Sequence, residues 1–123
     1  MRTTSSLADV RAALIEDRTE TIGRIVALTS DIEAVDEAVG DVATDDEHDP
    51  EGATIAFERA RVTALLEQGR DHLSEIDAAV RRIDEGRYGA CEQCGRPIGA
   101  ERLAARPVAR TCITCASGPA PGR

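Results

Sequence analysis

The 123-residue chain has no tryptophan, one phenylalanine, one tyrosine and no lysine, all 15 of its basic residues being arginine. Aromatic residues make up only 2% of a chain that is 41% hydrophobic. A compact core drawing its buried area from large rings is therefore excluded, and aliphatic helix seams are the available alternative. The missing lysine favours forked contacts with carboxylate or phosphate, although coding bias is the simpler explanation. No apolar run approaches the roughly 18 residues that cross a bilayer. Charges interrupt the opening MRTTSSLADVRAALIEDR before a signal-peptide core could form. The expectation is a chain with no membrane partner, residing in the cytoplasm, where thiols stay reduced and clustered cysteines point to metal.

The net charge of −8 conceals an asymmetry: residues 1–85 carry 9 Arg against 21 acids, and residues 86–123 carry 6 Arg against 2 acids. A long acidic part joined to a small basic one argues for two surfaces with different partners. Phosphate repulsion argues against nucleic acid as the main ligand of the acidic part.

From Leu7 the apolar residues keep helical time. Leu7, Leu14, Leu28, Val35 and Val42 fall seven apart with Thr21 in the one gap, and Ile25, Ile32 and Val39 interleave. Arg11 and Arg18 continue that second series toward the N-terminus, which predicts a weaker or frayed seam there. A second seam runs through Ile55, Arg59, Val62, Leu66, Gly69, Leu73, Ile76, Val80 and Ile83, with Arg59 and Gly69 as its flaws. Both are heptad patterns. Asp49-Pro50 is a helix start, since Asp caps and Pro suits the first helical position. Two amphipathic helices with a short connection pack antiparallel, because neither buries its stripe alone. Each arm is roughly 40–55 Å long at 1.5 Å per residue. The fold class expected is all-α dominated: a long antiparallel coiled-coil helical hairpin over 1–85, then a small four-cysteine module over 86–116 and a flexible tail over 117–123.

The bend carries DDEHDPEG, five carboxylates and one imidazole in eight residues. A metal-dependent enzyme using His48 is a poor reading, because a two-helix tip offers no walls to exclude water or orient a substrate. The chain is expected not to be an enzyme. Phe57 is expected to pack between the helices near the bend, and Tyr88 to buttress the first cysteine turn.

All four cysteines follow the second helix. Cys91 and Cys94 form one C-x2-C pair and Cys112 and Cys115 another, with 17 residues between them. This is a zinc spacing. Each turn aims two thiolates at one point, and two converging turns complete a tetrahedral S4 set. Gly95 suits the tight turn that lets backbone N–H groups approach the thiolates. Iron in a rubredoxin-like site is the competitor, but such cores are aromatic-rich. A redox dithiol fits less well, because two pairs saturate a metal. Four protein ligands make the zinc structural and hold together a segment too small for its own core. Arg96, Arg102, Arg106 and Arg110 solvate this module or contact an acidic partner. Without interleaved aromatics they do not make a convincing nucleic-acid patch.

The run Gly86-Arg87-Tyr88-Gly89-Ala90-Cys91-Glu92-Gln93-Cys94-Gly95, with Pro97-Ile98, Arg102-Leu103, Ala105-Arg106-Pro107 and Cys112-Ile113-Thr114-Cys115, resembles the DksA/TraR C4-type zinc-finger proteins. The resemblance implies a bacterial transcription regulator that binds RNA polymerase without sequence-specific DNA recognition, and the chain is expected to be a monomer. The hairpin of that family enters the polymerase secondary channel, with tip acids approaching the catalytic magnesium region and the zinc finger outside. Here Asp45, Asp46, Glu47 and Asp49 become the partner-binding tip, and guanosine tetraphosphate becomes a candidate co-effector. The family's best-known members carry Asp-x-x-Asp-x-Ala at the tip. This chain has Asp49-Pro50-Glu51-Gly52-Ala53-Thr54 in one register and Asp46-Glu47-His48-Asp49-Pro50-Glu51 in the other, and neither restores the pattern. The alternative is a zinc-stapled coiled-coil interaction module with no polymerase role.

Overall fold

A computed structural model describes residues 6–41 and 50–118. Its elements are α1 (Leu7–Asp41), α2 (Pro50–Asp84), α3 (Ala100–Ala105) and α4 (Ile113–Ser117). Among the described residues the only β pairing is an isolated antiparallel bridge between Ala90 and Pro97. No helix among them is long and apolar enough to cross a membrane.

Local chemistry sets the helix ends. Ser6 caps α1, its Oγ accepting from the Asp9 N–H at 3.1 Å, and Asp9 lies in the first turn, where the helix dipole favours a negative charge. α2 begins at Pro50, as the Asp49-Pro50 pair predicts. At its far end Gly86 adopts φ +76°, which only glycine takes cheaply. The Gly86 N–H donates to the Ile83 carbonyl at 3.1 Å and the Arg87 N–H to the Arg82 carbonyl at 2.8 Å. This is the paired closure of a Schellman motif, and it stops the helix where the cysteine segment begins.

The two long helices form an antiparallel hairpin. The chain divides into two compact units, one from the segments up to Arg18 and from Ser74 onward, the other Thr19–Leu73. In the first, Arg11 Nε meets Asp84 Oδ1 at 2.9 Å and Arg18 Nε meets Asp77 Oδ1 at 2.6 Å. Seven residues forward in α1 correspond to seven back in α2, as an antiparallel pair requires. In the second unit Arg59 Nε meets Asp36 Oδ1 at 2.7 Å, and Gly69 faces Ile25.

Burial corrects several expectations. The seam is tight at Leu14, which is 2% exposed and packs with Ile76, Ala79 and Val108, and it opens only at Leu7, which is 53% exposed. Arg11 and Arg18 flank this cluster and reach across to the aspartates of α2, so their charges clamp the seam. In the other unit the buried α2 positions are Val62, Leu66 and Gly69, all on the heptad seam. Thr21, the polar gap-filler, is fully buried. Phe57 does not pack between the helices; it is 79% exposed. Its neighbours Ala53, Ala56 and Ala60 are exposed as well, which puts Phe57 on the outer face of α2. α4 includes Ser117, and residues 119–123 of the expected tail lie outside the described residues.

Candidate metal centre

The cysteine segment folds as two turns facing one another. In the first, the Cys91 N–H donates to the Arg96 carbonyl at 2.8 Å and the Gly95 N–H to the Cys91 carbonyl at 2.9 Å. Gly95 has φ +77°, and this left-handed residue lets the chain reverse within the turn. The Gln93 N–H points at Cys91 Sγ at 3.4 Å. In the second turn Cys112 is the N-cap of α4, and its sulfur accepts from the Cys115 N–H at 3.5 Å. The Glu92 N–H donates to the Arg110 carbonyl at 2.9 Å, which ties the turns together. Arg102 Nε donates to the Thr111 carbonyl at 2.8 Å, so this arginine braces the second turn from α3.

The thiol groups of Cys91, Cys94, Cys112 and Cys115 all lie within 4.8 Å of one another. Cys94 Sγ and Cys112 Sγ are 3.8 Å apart. A tetrahedron with Zn–S bonds of about 2.3 Å has sulfur edges of about 3.8 Å. The four-cysteine cluster is thus compatible with one Zn2+ in S4 coordination. Beneath it Cys91, Ile98 and Ala109 are buried, with Leu103 packed against them.

The electrostatics of the thiols point the same way. Burial opposes ionisation of Cys91, but N–H groups of Cys94, Cys112 and Gln93 outweigh it and bring this thiol down to about 6. The Cys115 N–H lowers Cys112. Cys115, hydrogen-bonded to the sulfurs of Cys112 and Cys91, is pushed up to about 12. The backbone thus supports part of the thiolate charge, and four thiolates crowd together only with a cation between them.

The helix pair supports this centre through residues that sequence periodicity did not single out. Tyr88 packs against the cluster of Leu14, Ile76, Ala79 and Val108. Its hydroxyl donates to the Pro107 carbonyl at 2.8 Å. It therefore braces the approach to the second cysteine turn, where the first had been expected. Arg82 is 3% exposed. Its Nη1 lies 3.6 Å from Glu92 Oε2, and Arg110 Nε lies 3.4 Å from Glu92 Oε1. Burial lowers the Arg82 pKa, and the charge of Glu92 opposes that shift. The only hint in the sequence was position: Arg82 follows Ala79 by three residues on one helix face. Its charge argued for the solvent side.

The tip residues Asp45, Asp46, Glu47 and Asp49, with His48, lie outside the described residues. Among the described residues the structure brings together the four cysteines as a candidate metal site.

Residues 86–118 match the prokaryotic DksA/TraR C4-type zinc finger. The chain is 46% identical over 61 residues to the RNA polymerase-binding transcription factor DksA of Caulobacter vibrioides, covering 50% of this chain and 43% of the relative. It is 33% identical over 82 residues to general stress protein 16O of Bacillus subtilis, covering 66% of this chain and 50% of that protein. The chain thus spans half or less of the length of these two relatives. The solved structure of transcription factor DksA2 from Pseudomonas aeruginosa superposes with a TM-score of 0.71 at 29% identity, over 87% of this chain and 77% of that one. Residues 86–118 thus carry the DksA/TraR C4-type zinc finger, and with its helical hairpin the chain is similar over most of its length to a DksA-type transcription factor.

Proposed function

We propose that this protein is a bacterial, cytoplasmic transcription regulator that binds RNA polymerase as a monomer. In this reading Cys91, Cys94, Cys112 and Cys115 hold one structural zinc within a module spanning residues 86–116. The helical hairpin of residues 1–85 enters the polymerase secondary channel, and Asp45, Asp46, Glu47 and Asp49 form its charged end. The tip acts by charge on magnesium-bound water or the basic channel lining, without covalent chemistry. The basic module stays at the channel rim, and no base sequence is read. Guanosine tetraphosphate is the co-effector to test.

One observation carries the reading. A C4 finger at residues 86–118 follows an antiparallel pair of 35-residue helices, and a transcription factor of known structure shares that arrangement over 87% of this chain. Four protein thiolates leave no coordination position for a reacting water, which fits a structural metal in a non-enzymatic protein.

The test is a pull-down with core RNA polymerase. The native chain is compared with a variant carrying Asp45→Asn, Asp46→Asn, Glu47→Gln and Asp49→Asn. Both are expected to bind, since the helices and module supply contact area, and the variant is expected to lose the effect on initiation in transcription with purified polymerase. Failure of both chains to bind polymerase would defeat the reading. An undiminished effect of the variant would remove the tip acids from it.

A further inference from the structure

Among the described residues Arg82 is the only buried charged side chain. A guanidinium taken out of water is costly unless charged or polar partners replace the solvent. Its partners all come from the cysteine module. Nη1 stands 3.6 Å from Glu92 Oε2 and has no hydrogen bond of its own, and Nη2 donates to the Ala109 carbonyl at 3.4 Å. Glu92 follows Cys91 in the first turn, and Ala109 leads into the second by way of Arg110. The Glu92 N–H donates to the Arg110 carbonyl at 2.9 Å, and the Glu92 carboxylate also faces Arg110 Nε at 3.4 Å. The two groups that hold the Arg82 charge therefore belong to different turns, and they meet only when the turns are closed on each other. Val108, next to Ala109, is the module's buried member of the cluster with Leu14, Ile76 and Ala79, and Tyr88 packs against it.

We propose that Arg82 makes docking of the cysteine module onto the helix pair conditional on closure of the two cysteine turns around a metal ion. Docking removes the guanidinium from water, and the attraction of Glu92 and of the Ala109 carbonyl offsets that cost. When the turns part, those partners separate. The charge then lies at lower free energy in water, and its release draws Val108 and Tyr88 away from the apolar cluster. The guanidinium stays ionised throughout, so the device responds to the geometry of the turns. An apolar side chain at position 82 would dock whether or not the turns were closed, since replacing a buried ion by a well-packed apolar group is often neutral or stabilising. The proposal rests on the metal reading of the four cysteines.

Amide hydrogen exchange on the full chain tests it, zinc-loaded and chelated, over segments 10–18 and 76–88, with zinc counted by elemental analysis. Zinc-loaded Glu92→Gln should retain its zinc yet exchange about tenfold faster than the native chain in both segments, the scale expected of a coupled pair. Zinc-loaded Arg82→Met should exchange as slowly as the native chain, and chelation should accelerate it several-fold less. In Arg82→Met with Glu92→Gln, the effect of the Glu92 change should vanish. The proposal is overturned if Glu92→Gln exchanges like the native chain, or if chelation accelerates Arg82→Met and the native chain equally. Failure of zinc-loaded Arg82→Met to fold also overturns it, because the guanidinium would then be a requirement of docking and not a condition upon it. A native chain that takes up no zinc would defeat the metal reading first, and the conditional docking with it.

Discussion

A β-carbon built on Gly69 would stand 3.2 Å from Cγ1 of Ile25. The glycine that reads as a flaw in the heptad pattern is buried, and its lack of a side chain lets α2 approach α1 at that level. The helix-propensity cost of up to about 1 kcal/mol is offset by that contact. Gly69→Val should therefore destabilise the chain by roughly 1–3 kcal/mol through overpacking. Gly23 is the control: its position within α1 leaves a β-carbon there with nothing inside 4 Å. Gly23→Ala should stabilise by about 0.5–1 kcal/mol. Denaturant unfolding of both variants reads the two signs, and shifts in the same direction would contradict this account of Gly69.

Asp84 accepts two hydrogen bonds from Arg11, at 2.9 and 3.2 Å. Those bonds, against a smaller opposing effect of desolvation, hold its pKa below the ordinary aspartate value. A carboxylate whose folded pKa is depressed stabilises the fold above its unfolded value, and that contribution is lost as pH falls through the folded value. The melting temperature of the native chain should exceed that of Asp84→Asn at neutral pH, and the gap should close as pH falls through the lowered folded value. Both side chains are about half exposed, so about 1 M salt should narrow the gap. A gap that persists unchanged to about pH 2 would rule out the ion pair as its source.

Cys94 is exposed, so replacing it opens no core cavity and reports on the metal alone. Cys94→Ser should lower bound zinc from one equivalent per chain to well under half in the presence of a competing chelator, because a hydroxyl is a poorer zinc ligand than a thiolate. Amide protection between Tyr88 and Ser117 should fall with it. Full retention of the metal would show that position 94 is not a ligand.

Tyr88 donates its hydroxyl proton to the Pro107 carbonyl at 2.8 Å while its ring packs against the helix pair. Tyr88→Phe keeps the packing and removes the bond. The expected loss is about 0.5–1.5 kcal/mol, more if the Pro107 carbonyl finds no water. Thermal unfolding measures it, and zinc content should not change. A stability equal to that of the native chain would mean that solvent replaces the hydroxyl in full.

The amino-acid sequence by itself determined the two long helices, the start of α2 at Pro50, and a four-cysteine cluster of zinc spacing. Each is written in residues close together along the chain: a seven-residue apolar repeat, an Asp-Pro pair, two C-x2-C turns. Such signals say which side chains share a helix face or a turn. They do not say what stands opposite, and that is where tertiary structure decided. Arg11 and Arg18 looked like breaks in the seam until Asp84 and Asp77 were placed across from them. Phe57, a large apolar side chain, was expected inside, yet it is 79% exposed and its helix face is exposed with it. Arg82 is buried because Glu92 and Ala109, carried by the cysteine turns, come back to it. Burial of a charge depends on partners remote in sequence, and no local pattern records them.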